Sequence, residues 1–157
     1  IKELADEMNK FYNGEEVIAI CVLKGAVMFA TDLVKNLDMP LKMEFIRLSS
    51  YGSATTTSGK VNAVDIKLPD LNGKNVLIIE DIVDTGLTAK FLIDFMGINF
   101  NVKSLKFCSL LDKKITRKVN IEPDYYGFEV DDKFVVGYGL DYDGYYRNLR
   151  YIGYKEV

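Results

Sequence analysis

Apolar positions fall into two alternating signals along the chain. Four apolar runs with β-branched residues, 17–23, 41–48, 76–79 and 102–111, read as buried strands. Two stretches have the wider spacing of a helix face. Residues 26–37 are apolar at 26, 27, 29, 30, 33, 34 and 37, and residues 88–96 at 89, 91, 92, 95 and 96. Strand, helix, strand, twice over, predicts an α/β fold with a central, mainly parallel sheet flanked by helices, because parallel neighbours need a crossover connection.

Two segments break this rhythm. Residues 49–60, Ser-Ser-Tyr-Gly-Ser-Ala-Thr-Thr-Thr-Ser-Gly-Lys, are small and polar, with nothing to anchor them in a core. Such a loop suits a flexible lid over an active site and equally an idle surface hairpin. Beyond Asp124, the aromatic stretches 125–129 and 133–142 read as short strands and turns. No repeat, linker or low-complexity tract divides residues 1–157, which predicts a single domain.

Composition narrows the chemistry. With 157 residues, 48% hydrophobic, the chain is long enough to bury about two-thirds of its unfolded surface without disulfides or a structural metal. Cys21 and Cys108 both sit inside apolar runs and read as core thiols, which fits a reducing, cytoplasmic setting. No apolar run reaches the roughly 18 residues of a membrane span, and no charged-then-apolar leader opens the sequence. A net charge of -3 argues against general nucleic-acid binding. Histidine is absent, which removes Ser-His-Asp hydrolysis and Cys/His zinc sites together. Proton transfer then falls to Asp, Glu, Lys or Tyr.

The stretch richest in chemistry runs from Val76 to Thr88. An apolar strand leads into Glu80 and Asp81, then into a turn of Asp84, Thr85, Gly86, Leu87 and Thr88 that opens a helix. Backbone N–H groups beside a helix N-terminus favour a phosphate, and Gly86 can adopt positive φ. The two carboxylates can accept from sugar hydroxyls and hold Mg²⁺. Phosphate, ribose and metal are thus implied together. The competing reading is a plain helix cap through Asp84 or Thr85.

With its apolar lead-in, 80–88 resembles the phosphoribosyl pyrophosphate signature of type I phosphoribosyltransferases. The likeness spans nearly the whole chain and is greatest to the hypoxanthine-guanine branch. It implies that family's fold, with a small hood and a flexible lid at 49–60, and dependence on Mg²⁺ held by Glu80, Asp81 and Asp141. It also implies a pyrophosphate site of Lys24, Gly25, Ser50, Tyr51 and Arg147, with a cis peptide before Lys24. Lys113 matches the lysine that reads the purine 6-oxo group. Phe134 matches the stacking residue and Val135 its backbone-reading neighbour, with Asp141 beside them. Leu87 departs from members that carry lysine there, and the backbone cradle does not use that side chain.

The resemblance further implies the reaction. A purine nitrogen displaces pyrophosphate from ribose C1, with Asp84 as the catalytic base. A cation at the 6-oxo group favours 6-oxopurines over adenine. Members are commonly dimers or tetramers, which implies a homo-oligomer here. Tyr138, Tyr142, Tyr145, Tyr146, Tyr151 and Tyr154 suit packing or a subunit interface. Two other functions stay open: a phosphoribosyltransferase for xanthine or another base, and a non-catalytic sensor of phosphoribosyl pyrophosphate.

Overall fold

Strand β1 (Val17–Leu23) lies at the centre of the sheet, with β2 (Leu41–Ser50) on one side and β4 (Asn75–Val83) on the other, both parallel to it. These come from a computed structural model that describes residues 1–50 and 61–156, excepting the side chains of residues 49, 50 and 61–65. β5 (Ser104–Asp112) and β6 (Tyr125–Glu129) continue the parallel array beyond β4, and β3 (Val61–Asp65) adds an antiparallel edge to β2. The six-stranded order is β3-β2-β1-β4-β5-β6. A separate antiparallel pair, β7 (Phe134–Val136) and β8 (Gly153–Lys155), forms the small hood.

Three helices cover the sheet, and the alternation of side chains along each strand decides which one each residue meets. Val17, Ala19 and Cys21, with Leu77 and Ile79, pack under α1 (Lys2–Tyr12) and α2 (Val27–Val34). Ile18, Ile20 and Val22, with Val76 and Ile78, pack under α3 (Leu87–Asn99). With both faces covered, the central strands carry continuous apolar runs. Each fully buried aliphatic side chain contributes roughly 1.5–3 kcal/mol. Cys21 and Cys108 are buried and unpaired, as expected. Among the described residues no helix is long and apolar enough to cross a membrane.

Several boundaries differ from those the pattern predicts. β4 continues through Glu80 and Asp81 to Val83 because β5 pairs along its full length, Val83 opposite Asp112. The acidic pair therefore belongs to the strand, where the sequence places it after the strand end. α2 ends at Val34, and the rest of the predicted helix closes in tight turns from Asn36 N–H to Leu33 O and from Leu37 N–H to Val34 O. β2 keeps Ser49 and Ser50, the first two residues of the expected lid; Tyr51 and 52–60 lie outside the described residues. α1 has no counterpart in the sequence reading. It buries only Leu4, Ala5, Met8 and Tyr12 and presents charge on its outer face.

Candidate active site

The connection leaving β1 leads to β2 on one side of the sheet, and the connection leaving β4 leads to β5 on the other. A crevice therefore opens between their carboxyl ends, the usual ligand position in an open α/β sheet. Both sequence motifs end there. After β1, the Leu23–Lys24 peptide is cis, as the resemblance implies. Val27 N–H then donates to Lys24 O at 3.2 Å, turning the chain into α2 and leaving the Lys24 side chain exposed. Gly25 faces Asp81 across the crevice.

After β4, the turn reaches α3 through Gly86, whose φ is 82° and which serves as N-cap with no side-chain hydrogen bond. A Cβ at Gly86 would also lie 2.8 Å from Arg117 Cδ and from Ile121 Cγ2. Only glycine meets both conditions. The helix-cap reading of Asp84 and Thr85 is not realised: Asp84 Oδ1 accepts from the Thr116 hydroxyl, and Thr85 Oγ1 accepts only a long 3.4 Å bond from Leu87 N–H. A cavity of about 240 Å³ lies over the turn, lined by Glu80, Asp81, Asp84, Thr85, Gly86 and Thr88 among others.

Glu80 is only 6% exposed. Burial, and then the neighbouring Asp81 carboxylate, pushes its carboxyl well above the ordinary value. Burial raises Asp81 as well, opposed by hydrogen bonds from Glu80 and the Ile82 N–H and by the charge of Arg147. Two desolvated carboxyls at the carboxyl end of β4 suit a cation or a set of hydroxyl donors. A second cavity of about 210 Å³ collects Gly25, Glu80, Asp81, Thr88, Asp141 and Arg147. Asp141 and Arg147, expected in separate roles, form an ion pair there at 2.9 Å, and Asp141 Oδ2 also accepts from Gly144 N–H. Among the described residues no three acidic, cysteine or histidine side chains converge as a complete metal cage. Glu80, Asp81 and Asp141 line one cavity without closing into a cage, an arrangement that suits a Mg²⁺ keeping water and substrate oxygens as its other ligands.

A third cavity, about 220 Å³, is lined by Asp81, Asp84, Lys113, Phe134, Val135 and Asp141 among others. Lys113 leaves the end of β5 nearly buried, its ammonium 3.0 Å from Asp132 Oδ1. Phe134 is 42% exposed, a large apolar ring open to solvent at the start of β7. Tyr142 meets it edge-on, centroids 5.6 Å apart at 87°. Asp81 lines all three cavities and is their common point. A further cavity of about 580 Å³ between α1, β6 and Tyr151 contains none of the predicted catalytic, substrate-binding or metal residues.

The structure brings the predicted acidic pair, Gly25, Asp84, Thr85, Gly86, Thr88, Lys113, Phe134, Val135, Asp141 and Arg147 into the lining of three adjoining cavities, whereas Leu87, the first residue of α3, and the exposed Lys24 line none of them. Ser50 closes β2, and Tyr51 lies outside the described residues. The sequence reading misses Thr116, Arg117 and Asp132, which bond Asp84 and Lys113, and Asp112, which pairs with Arg117. It also leaves Tyr142 undivided from the other tyrosines, although Tyr142 packs on Phe134.

A parallel sheet with a phosphate turn and an acidic pair at its switch point defines a phosphoribosyl-binding class of α/β protein. The model of the phosphoribosyl transferase domain matches residues 1–143, and the chain belongs to that family. It is 47% identical over 153 residues to the hypoxanthine-guanine phosphoribosyltransferase of Bacillus subtilis (strain 168), covering 98% of this chain and 84% of that protein. The Mycobacterium tuberculosis (strain CDC 1551 / Oshkosh) protein of the same name is 43% identical over 159 residues, covering 98% and 78%. Among solved structures, a hypoxanthine phosphoribosyltransferase from Staphylococcus aureus superposes with a TM-score of 0.92 at 42% identity, covering 99% of this chain and 84% of that one.

Proposed function

We propose that this chain, acting as one domain in the cytoplasm, transfers the 5-phosphoribosyl group of phosphoribosyl pyrophosphate to hypoxanthine or guanine. The products are IMP or GMP and pyrophosphate, a purine-salvage reaction. The observation that carries this reading is Asp81 at the junction of three cavities, one over the phosphate turn, one beside Asp141 and Arg147, and one between Lys113 and Phe134. A ribose held at Asp81 has its 5-phosphate, its leaving group and its acceptor base on three sides. The similarity to the hypoxanthine-guanine phosphoribosyltransferases of Bacillus subtilis and Mycobacterium tuberculosis supports the choice of base.

In the reaction, the bond from ribose C1 to the pyrophosphate oxygen breaks and a bond from C1 to a purine nitrogen forms. The 5-phosphate takes the N–H groups of the turn at Thr85, Gly86, Leu87 and Thr88 and the positive end of α3. Glu80 and Asp81 accept from the ribose hydroxyls. Lys24 and Arg147 neutralise the departing pyrophosphate, a charge that grows in the transition state. Glu80, Asp81 and Asp141 would hold Mg²⁺, which supplies further neutralisation of that charge. Phe134 stacks on the purine, and Lys113 donates to its 6-oxo group, which adenine lacks. Asp84 takes the proton that the purine loses.

Incubation with Mg²⁺, phosphoribosyl pyrophosphate and each of hypoxanthine, guanine, xanthine, adenine and orotate tests the reading. Hypoxanthine and guanine are expected to react, with Asp84→Asn slower by about 10²-fold or more. Binding of phosphoribosyl pyrophosphate without turnover of any base would replace the enzyme with a sensor.

A further inference from the structure

The segment between β5 and β6 packs against the phosphate turn. Lys113 N–H donates to Val83 O at 2.9 Å, Arg117 Nε to Asp84 O at 3.1 Å, and Lys118 N–H to Thr85 O at 2.9 Å. Every carbonyl from Val83 to Thr85 is therefore pinned to this one segment. In a planar trans peptide the C=O of one residue and the N–H of the next point in opposite directions. Holding these three carbonyls inward aims the N–H groups of Asp84, Thr85 and Gly86 the other way, toward the phosphate cavity.

Arg117 is the anchor of this arrangement. Its side chain is 11% exposed, and its guanidinium also donates to Ile121 O and forms an ion pair with Asp112, which is fully buried. The Arg117 stem fills the space beside Gly86. One residue earlier, Thr116 Oγ1 donates to Asp84 Oδ1, and it also lies 3.2 Å from the carbonyl of Lys113. One short turn, Lys114–Thr116, thus separates the lysine at the purine cavity from the group that fixes the carboxylate.

We propose that Thr116 and Arg117 are positioning residues of the transferase. Arg117, fixed by Asp112, sets the aim of the phosphate-binding N–H groups, and Thr116 holds the Asp84 carboxylate at one orientation toward the purine. Neither touches substrate. The Thr116 half rests on the reading of Asp84 as base; the Arg117 half rests on the turn alone. A misplacement of about 1 Å costs on the order of 10²-fold in rate, so a brace of this kind acts on kinetics well before it acts on folding.

The test compares Thr116→Val, Thr116→Ser, Arg117→Lys and Asp84→Asn, with melting curves to confirm folding. Thr116→Val is expected to lower kcat by about tenfold or more with KM for phosphoribosyl pyrophosphate little changed, and Thr116→Ser to restore it. Arg117→Lys, which keeps the charge and loses the fork, is expected to raise that KM by about tenfold or more. Parental kcat in Thr116→Val beside a crippled Asp84→Asn overturns the Thr116 half and leaves the base reading intact. Parental kcat in Asp84→Asn overturns the base reading and the Thr116 half with it, while the Arg117 half is decided by its own KM. A folded Arg117→Lys with parental KM overturns that half. If Arg117→Lys does not fold, the Arg117→Gln/Asp112→Asn pair, which leaves no buried charge, takes its place under the same KM criterion.

Discussion

Gly25 and Asp81 meet so closely that a Cβ at Gly25 would sit 1.7 Å from Asp81 Oδ2. The first residue belongs to the turn after β1 and the second to β4, so this contact ties the β1 turn to the carboxylate that lines all three cavities. Both strands are fixed by pairing, Cys21 opposite Ile79, and neither can retreat without breaking the sheet. A methyl group must therefore displace the carboxylate.

Gly25→Ala is accordingly expected to keep the fold, at a cost of about 1–3 kcal/mol for the overpacked contact. Its kcat/KM is expected to fall by about 10²-fold, because Asp81 no longer stands at the ribose position. Steady-state kinetics beside a thermal melt separate the two effects. Activity within about threefold of the parent would mean that the exact placement of Asp81 is unimportant.

Lys113 is held between the buried end of β5 and Asp132, whose own side chain is 65% exposed. Removing the ammonium leaves Asp132 in water, so Lys113→Met should cost little stability. Its effect falls on the base. The kcat/KM for hypoxanthine is expected to drop by about 10²-fold, the worth of a hydrogen bond from a charged donor. Phosphoribosyl pyrophosphate binding, followed by calorimetry, should stay at the parental value. A parallel loss of both affinities would assign Lys113 to the turn and away from the purine.

Residues legible from the chain act through local pattern, and those that are not act through contacts distant in sequence. β1 and the first half of β4 announce themselves because a strand covered on both faces must be apolar throughout, while β2 and β5 show through apolar positions interrupted by charged and polar residues. α1 does not, because four buried positions in an otherwise charged stretch make a weak stripe. Glu80 and Asp81 stand out as chemistry but conceal the strand that carries them, since their carboxylates interrupt the apolar run. Asp84 and Gly86 are legible from local spacing. Arg117 is not: its guanidinium acts on carbonyls 33 and 34 residues away, a relationship that no local spacing encodes. The Asp141 to Arg147 ion pair is hidden for a similar reason, as two residues assigned to different ligands neutralise each other across a turn.

Glu80 offers a test in which stability and activity move in opposite directions. Burial holds its carboxyl well above the ordinary 4.5, so without ligand the folded chain binds a proton there more tightly than the unfolded chain does. Stability from this group is complete below the unfolded value and is lost as pH rises through the folded value. Glu80→Gln preserves the shape and removes the titration. At neutral pH the variant is expected to melt higher than the parent by a few degrees, given roughly 2–4 °C per kcal/mol at this chain length. The gap should close as pH falls below 4.5, where the parental carboxyl is protonated in both states. Glu15 and Asp32 are shifted downward by Lys103 and Lys35 and weaken the fold as pH falls, but they do so in both proteins and cancel in the difference. The variant's kcat/KM should fall, because glutamine accepts from hydroxyls as a neutral group and no longer attracts a cation. A variant that melts lower than the parent at neutral pH would show that the Glu80 carboxylate is paid for by contacts other than the ligand.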